Sequence, residues 1–201
     1  MIPVGINYDR TLEDRTLLLD RGATKTPTGT VFALTTTARF IAKNIRLMIG
    51  SRWRRLGYAS AAFGSPLSMR AYYAANPELL DDQGALQDVE PLGRQLAHSI
   101  SGIIPVLPVA VMARTLLAYT GTAVNEDTLL TQAGQIVDQC SRREAVIGIP
   151  QTTRRYSLAT GLEMLVLRKI VARDENAFYR VPETSQKILA YYANAIASVA
   201  D

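Results

Sequence analysis

Cysteine and histidine are nearly missing from these 201 residues: there is one of each, Cys140 and His98. A lone cysteine excludes a disulfide framework and any cysteine-based zinc cluster. It suits a reducing compartment such as the cytoplasm. A lone histidine excludes metal sites built on two or three imidazoles, the HExxH type among them. No metal and no other cofactor is expected. The opening Met1-Ile2-Pro3-Val4 has neither a basic n-region nor a long apolar h-region, so no signal peptide is read there. The best apolar run, Ile103 to Tyr119, is interrupted by Pro105, Pro108 and Arg114. It falls short of the about 20 apolar residues that a membrane span needs, and reads as a buried or interfacial helix. Phosphate-binding loops of the GxGxxG and GxxxxGK(S/T) kinds do not occur. With 48% hydrophobic and 20% charged residues, the composition is that of a globular chain with a sizeable core, not a fibre or a disordered tail.

Acidic residues are missing from one long stretch. Between Arg21 and Pro77 there is no Asp or Glu, against nine cations. Residues 1–75 carry 11 Lys and Arg and 4 acids, whereas residues 76–201 carry 11 and 14, within a net charge of +4. The first part therefore projects a positive field and calls for an anionic partner. Arg39, Lys43 and Arg46 share one face of a helix predicted over 31–49, with Phe32, Phe40, Ile41, Ile45, Met48 and Ile49 over much of the rest. Arg52-Trp53-Arg54-Arg55 follows Gly50, a natural stop. A basic amphipathic helix ending in a tryptophan among arginines suits an anionic phospholipid surface. A solvated basic face over an ordinary core is the alternative. The expected location is peripheral, on the cytoplasmic face of the cell membrane.

Ile2 to Tyr8 is short, apolar and β-branched, and reads as a buried strand of a parallel sheet. Gly57 to Phe63 is a second strand, closed by Gly64-Ser65-Pro66. Strand, helical crossover and strand predict a right-handed βαβ unit. Leu67 to Tyr73 begins a short helix ended by Asn76-Pro77. The polar stretch Leu79 to Asp88 divides the chain into 1–78, part of an α/β domain, and 79–201, a mainly helical domain. The second part predicts helices over 89–100, 106–119 and 126–143, the last capped by Asn125, then 158–167 and a final helix over 183–199. A hairpin around Asp174-Glu175-Asn176 lies between the last two. The overall class is thus an α/β remnant of about two strands and a crossover helix, followed by a mainly α-helical region.

Helix 126–143, helix 158–167 and the hairpin together resemble a small winged-helix module. Glu163 in the middle of the second helix, cations only at its end (Arg168, Lys169) and the acidic balance of this part argue against nucleic acid as a partner. Residue types alone assemble no catalytic site. His98 reads as a structural residue on an amphipathic helix, and Asp81-Asp82 as a solvated turn.

Four segments carry a family likeness. Ile2-Pro3-Val4-Gly5-Ile6-Asn7-Tyr8-Asp9-Arg10, followed by Glu13-Asp14, resembles the fourth conserved block of the PlsB-type and mitochondrial-type glycerol-3-phosphate acyltransferases. Phe63-Gly64-Ser65-Pro66-Leu67-Ser68 is similar to the family's FGEPI segment, with Ser65 where an acid is usual. Ile188 to Ile196 resembles its closing YYxNxI signature, and Ile103 to Tyr119 followed by Glu126 to Ala145 its helical C-terminal region. The resemblance implies transfer of a fatty acyl group, from acyl-CoA or acyl carrier protein, to glycerol 3-phosphate in phospholipid synthesis. It implies no catalytic residue in this chain, because the family's His-x4-Asp pair and arginine blocks have no counterpart here. Activity of this chain by itself is not expected. What it implies for this chain is a scaffold and acyl-chain environment around Pro3, Val4 and Gly5, where Pro3 is either a first strand position or a substrate contact, and an Arg10 that either approaches an anionic substrate or pairs with Asp14 or Glu13. Met1 falls on the strand of the fourth block, which points to the C-terminal portion of such an enzyme, or to a non-catalytic module that binds a membrane or a complementing chain.

Overall fold

In the computed structural model the described residues are 1–11, 57–79 and 88–200. The chain opens with β1 (Val4–Tyr8), which pairs with β2 (Ala59–Phe63). Next come α1 (Met69–Ala75) and α2 (Glu90–Ser101). The helical part continues with α3 (Pro108–Leu117), β3 (Val124–Asn125), α4 (Glu126–Arg142) and α5 (Arg154–Leu167). The hairpin strands β4 (Ala172–Arg173) and β5 (Phe178–Arg180) precede α6 (Gln186–Asn194) and α7 (Ala197–Ala200). Two strands followed by a mainly helical region is the class that the sequence pattern indicates.

The βαβ expectation is corrected in one respect: β1 and β2 run antiparallel, with Val4 opposite Phe63 and Tyr8 opposite Ala59. Backbone bonds from Gly64 N–H to the Pro3 carbonyl and from Asp9 N–H to the Tyr58 carbonyl, both 2.9 Å, extend the ladder at its two ends. A long connection is required between parallel strands but is equally open to antiparallel ones, so its length did not decide the direction. The crossover helix predicted over 31–49 lies outside the described residues. Nor do the described residues cover β1 on both faces. Gly5 is buried, while Val4, Ile6 and Tyr8 are exposed.

The core lies in the second part, from Val106 to Ala200. Helix α3 is its centre, buried along nearly its whole length and packed against α4, α5 and α6. Leu107, Met112, Leu116, Leu129, Leu158 and Leu165 are wholly enclosed, and each such side chain contributes about 1.5–3 kcal/mol relative to exposure. Pro108 starts α3 two residues later than the periodicity suggests, because proline at the first helical position needs no N–H partner. Asn125 caps α4 as expected, accepting the Thr128 N–H at 2.8 Å. Helix α5 begins at Arg154, four residues before the predicted start, with Arg154 on Asp138 at 2.6 Å and Arg155 on Asp127. The hairpin forms, and β5 also pairs with β3, in the order β3-β5-β4. The predicted final helix is broken into a 3-10 turn (Glu183–Ser185), α6 and α7. The break comes where Ala195 and Ile196 turn back in i to i−3 bonds to Tyr192 and Ala193.

Candidate functional site

The fourth-block strand is fixed by contacts that leave little room for variation. Pro3 is buried, and its ring lies against Gly64. At Gly5 a Cβ would sit 2.6 Å from the Ile103 carbonyl oxygen, so only glycine lets the backbone come this close. Asn7 donates from its amide to the Pro105 carbonyl at 2.8 Å, and its own amide oxygen accepts the Tyr8 N–H at 2.8 Å. The strand therefore lies along Ile103 to Pro105, the segment that leads into α3.

Asp9 completes the attachment. It is 1% exposed and carries two backbone donors on its carboxylate. Oδ2 accepts the Tyr58 N–H at 2.8 Å and Oδ1 accepts the Val109 N–H at 2.9 Å. Val109 is in the first turn of α3, whose N-cap position, Leu107, has no side-chain acceptor. The carboxylate thus caps a helix from a distant strand, at the end where the helix dipole favours negative charge. Burial nevertheless pushes the Asp9 carboxyl up to about 6, outweighing the two backbone donors that pull it down. Gly57, at φ +80, lets the chain turn into β2 beside it; a Cβ there would meet the Asp9 Cβ at 2.5 Å.

Beyond Asp9 the strand reaches the closing segment of the chain. Thr11 N–H donates to the Tyr192 hydroxyl at 3.3 Å, and Arg168 donates to the same oxygen at 2.5 Å while its guanidinium lies 5.3 Å from the Tyr192 ring centre. Tyr191 and Tyr192 meet edge to face. Asn7, Tyr8 and Thr11 from one side and Tyr191, Tyr192 and Asn194 from the other line an open, mainly apolar cavity of about 300 Å³. Two of the segments that carry the family likeness, the fourth block and the closing signature, are nearly two hundred residues apart and meet here.

Of the residues singled out for substrate, Pro3 and Gly5 face inward and Val4 outward, and Arg10 is half-buried at the strand's end. The structure does not turn these four residues towards one point. Arg39, Lys43, Arg46, Arg52, Trp53, Arg54 and Arg55 all lie outside the described residues. His98 is exposed on α2. Among the described residues no group of His, Cys, Asp and Glu could hold a metal, and no helix is long and apolar enough to cross a membrane. Sequence reasoning missed Asp9 and Tyr192 as joints. Asp9 follows an apolar run and resembles an ordinary loop residue, and its partners are 49 and 100 residues away.

Comparison with known proteins bears on the same segments. Residues 45–200 match the family described as the glycerol-3-phosphate acyltransferase C-terminal region. The chain is also 25% identical over 198 residues to the protein named "Putative acyltransferase plsB1" of Mycobacterium bovis and, at the same identity, to that of Mycobacterium tuberculosis. The match takes in 96% of this chain and 30% of each relative, so the chain spans under a third of the length of the curated relatives it matches.

Proposed function

The chain belongs to the glycerol-3-phosphate acyltransferase C-terminal region family, and from that premise we propose that it serves as the C-terminal portion of a glycerol-3-phosphate 1-O-acyltransferase in phospholipid synthesis. The reaction moves a fatty acyl group from an acyl-CoA or acyl-carrier-protein thioester to the glycerol hydroxyl. The carrying observation is the meeting of the fourth-block strand and the closing signature at one cavity, joined by the Thr11–Tyr192 bond.

In this division of labour, proton transfer belongs to a His-x4-Asp segment supplied by the rest of the enzyme. A base there takes the proton from the glycerol hydroxyl as the oxygen attacks the thioester carbonyl; the C–S bond then breaks, and the carrier's sulfur leaves as the thiol with that proton. This chain holds the fourth-block strand in place through Gly5, Asn7 and Asp9. Arg10, which has no ion pair among the described residues, is the cation that this strand offers to an anionic substrate. Pro3 and Gly5, buried against Gly64 and the Ile103 carbonyl, fix the position of the strand that carries it, and Val4 lies on the outer face. Residues 1–78 act with the α/β acyltransferase domain, and 79–201 form the mainly helical domain. Arg39, Lys43, Arg46 and the Arg52-Trp53-Arg54-Arg55 run hold the enzyme peripherally on an anionic phospholipid membrane, at its cytoplasmic face. Nucleic acid is not a partner. At the start of α5 the cations Arg154 and Arg155 are already engaged by Asp138 and Asp127, and Glu163 is exposed in its middle.

The test is an acyl-transfer assay with glycerol 3-phosphate and a long-chain acyl-CoA. The chain alone gives no turnover, and adding a segment that carries His-x4-Asp and the arginine blocks restores it. Turnover by the chain alone overturns this division of labour.

A further inference from the structure

Apolar exposure is not spread evenly over the molecule. Among the described residues, eight of the eleven exposed large hydrophobic residues lie between Met1 and Ile100, although the contiguous core cluster begins at Val106. The densest group is on the two-stranded sheet. Because Val4, Ile6 and Tyr8 stand opposite Phe63, Ala61 and Ala59, these six side chains share one face. All six are exposed, and Phe63 is 74% exposed. The opposite face, with Gly5 and Asn7, is the one laid against Ile103 to Pro105.

Among the described residues the edges are open as well. The ladder joins Pro3, Gly5, Asn7 and Asp9 to β2, so Val4 and Ile6 aim their N–H and C=O groups away from it, as do Ala61 and Phe63 on the other edge. Among the described residues no strand pairs with either edge. A two-stranded ribbon with a wholly apolar open face is marginal in water, and an exposed apolar patch beside unpaired edges is a template for strand addition.

We infer that this face and one of its edges are the docking surface for the α/β portion of an acyltransferase, which adds a strand to the ribbon and covers Val4, Ile6, Tyr8 and Phe63. The choice of occupant rests on the proposed function and on length: seven-tenths of each curated relative lies outside its match to this chain. A lipid surface would cover an apolar face but would leave the edge amides unpaired. A strand-bearing protein segment satisfies both, whether it lies on the same polypeptide or on another.

The experiment mixes the chain with the portion of the Mycobacterium tuberculosis plsB1 protein outside the match. Complex formation is followed by sedimentation and backbone amide exchange by mass spectrometry. The expected result is a complex in which the Val4 and Ile6 amides, or those of Ala61 and Phe63, gain at least tenfold protection. Phe63→Asp and Ile6→Lys, on exposed positions, weaken it at least tenfold with their own circular dichroism unchanged, while Tyr156→Asp on α5 does not. A complex indifferent to both substitutions overturns the inference. So does the same protection arising in the chain alone as it self-associates, or only on vesicles of phosphatidylglycerol. A complex that forms as expected yet transfers no acyl group leaves the surface standing and counts against the proposed function instead.

Discussion

The Asp9 carboxylate accepts the Val109 N–H at 2.9 Å across 100 residues of sequence, capping α3 from the end of β1. Its other oxygen holds the Tyr58 N–H, so one buried side chain ties together the two strands and the central helix. Burial holds this carboxyl at about 6, above its ordinary 3.8. The folded state therefore keeps the proton longer than the unfolded chain does. The group's contribution to stability is full below the ordinary value and is lost as pH rises through about 6. Denaturant unfolding should show stability falling by up to about 3 kcal/mol over that window. Asp9→Asn should remove that slope while costing about 1–3 kcal/mol of its own, because one of the two N–H donors then faces an amide NH₂. A slope that persists in Asp9→Asn contradicts this account.

Two glycines should respond in opposite directions. Gly5→Ala places a methyl 2.6 Å from the Ile103 carbonyl oxygen, a backbone atom that cannot swing aside. It should cost about 1–3 kcal/mol, as overpacking does. Gly93 lies inside α2 with nothing within 4 Å of its missing Cβ. Gly93→Ala should stabilise by about 0.5–1 kcal/mol through helix propensity. Thermal or urea unfolding of the two variants reads both signs.

Tyr192→Phe keeps the ring over Arg168 but removes the oxygen shared by Thr11 and Arg168. A loss of about 1–2 kcal/mol is expected. Faster amide exchange at Thr11 should mark the site of the loss. Unchanged exchange there would mean that the hydroxyl does not join the strand to α6.

Charge reversal at Arg39, Lys43 and Arg46 should weaken binding to anionic vesicles by more than about a hundredfold, the loss expected from removing three cations at about 1 kcal/mol each near the surface. The remaining binding should be less salt-sensitive. Vesicle sedimentation at two salt concentrations measures both, and unchanged affinity removes this segment from the membrane contact.

What could be read from the sequence was what short-range chemistry writes. Asn125 before Glu126 and Asp127 announced the α4 cap, and Asp174-Glu175-Asn176 announced the hairpin turn. The strands β1 and β2 were legible as strands, but their relative direction was not, because it depends on pairing across a long connection. The open face of β1 was illegible for a related reason. Val4 and Ile6 look like core residues, and only the geometry shows that nothing among the described residues covers them. The candidate site was half visible. The fourth block and the closing signature could be recognised separately, but their meeting at Tyr192, and the joining role of Asp9, depend on contacts that no local pattern encodes.

The central claim, that this chain completes a glycerol-3-phosphate acyltransferase, is tested most directly by titration. The chain is added to a fixed amount of a segment carrying His-x4-Asp and the arginine blocks, and acylation of glycerol 3-phosphate is followed. The account predicts activity that rises with added chain to a plateau at equimolar ratio and is absent from either part alone. Activity that is flat across the titration, with both parts folded, contradicts it.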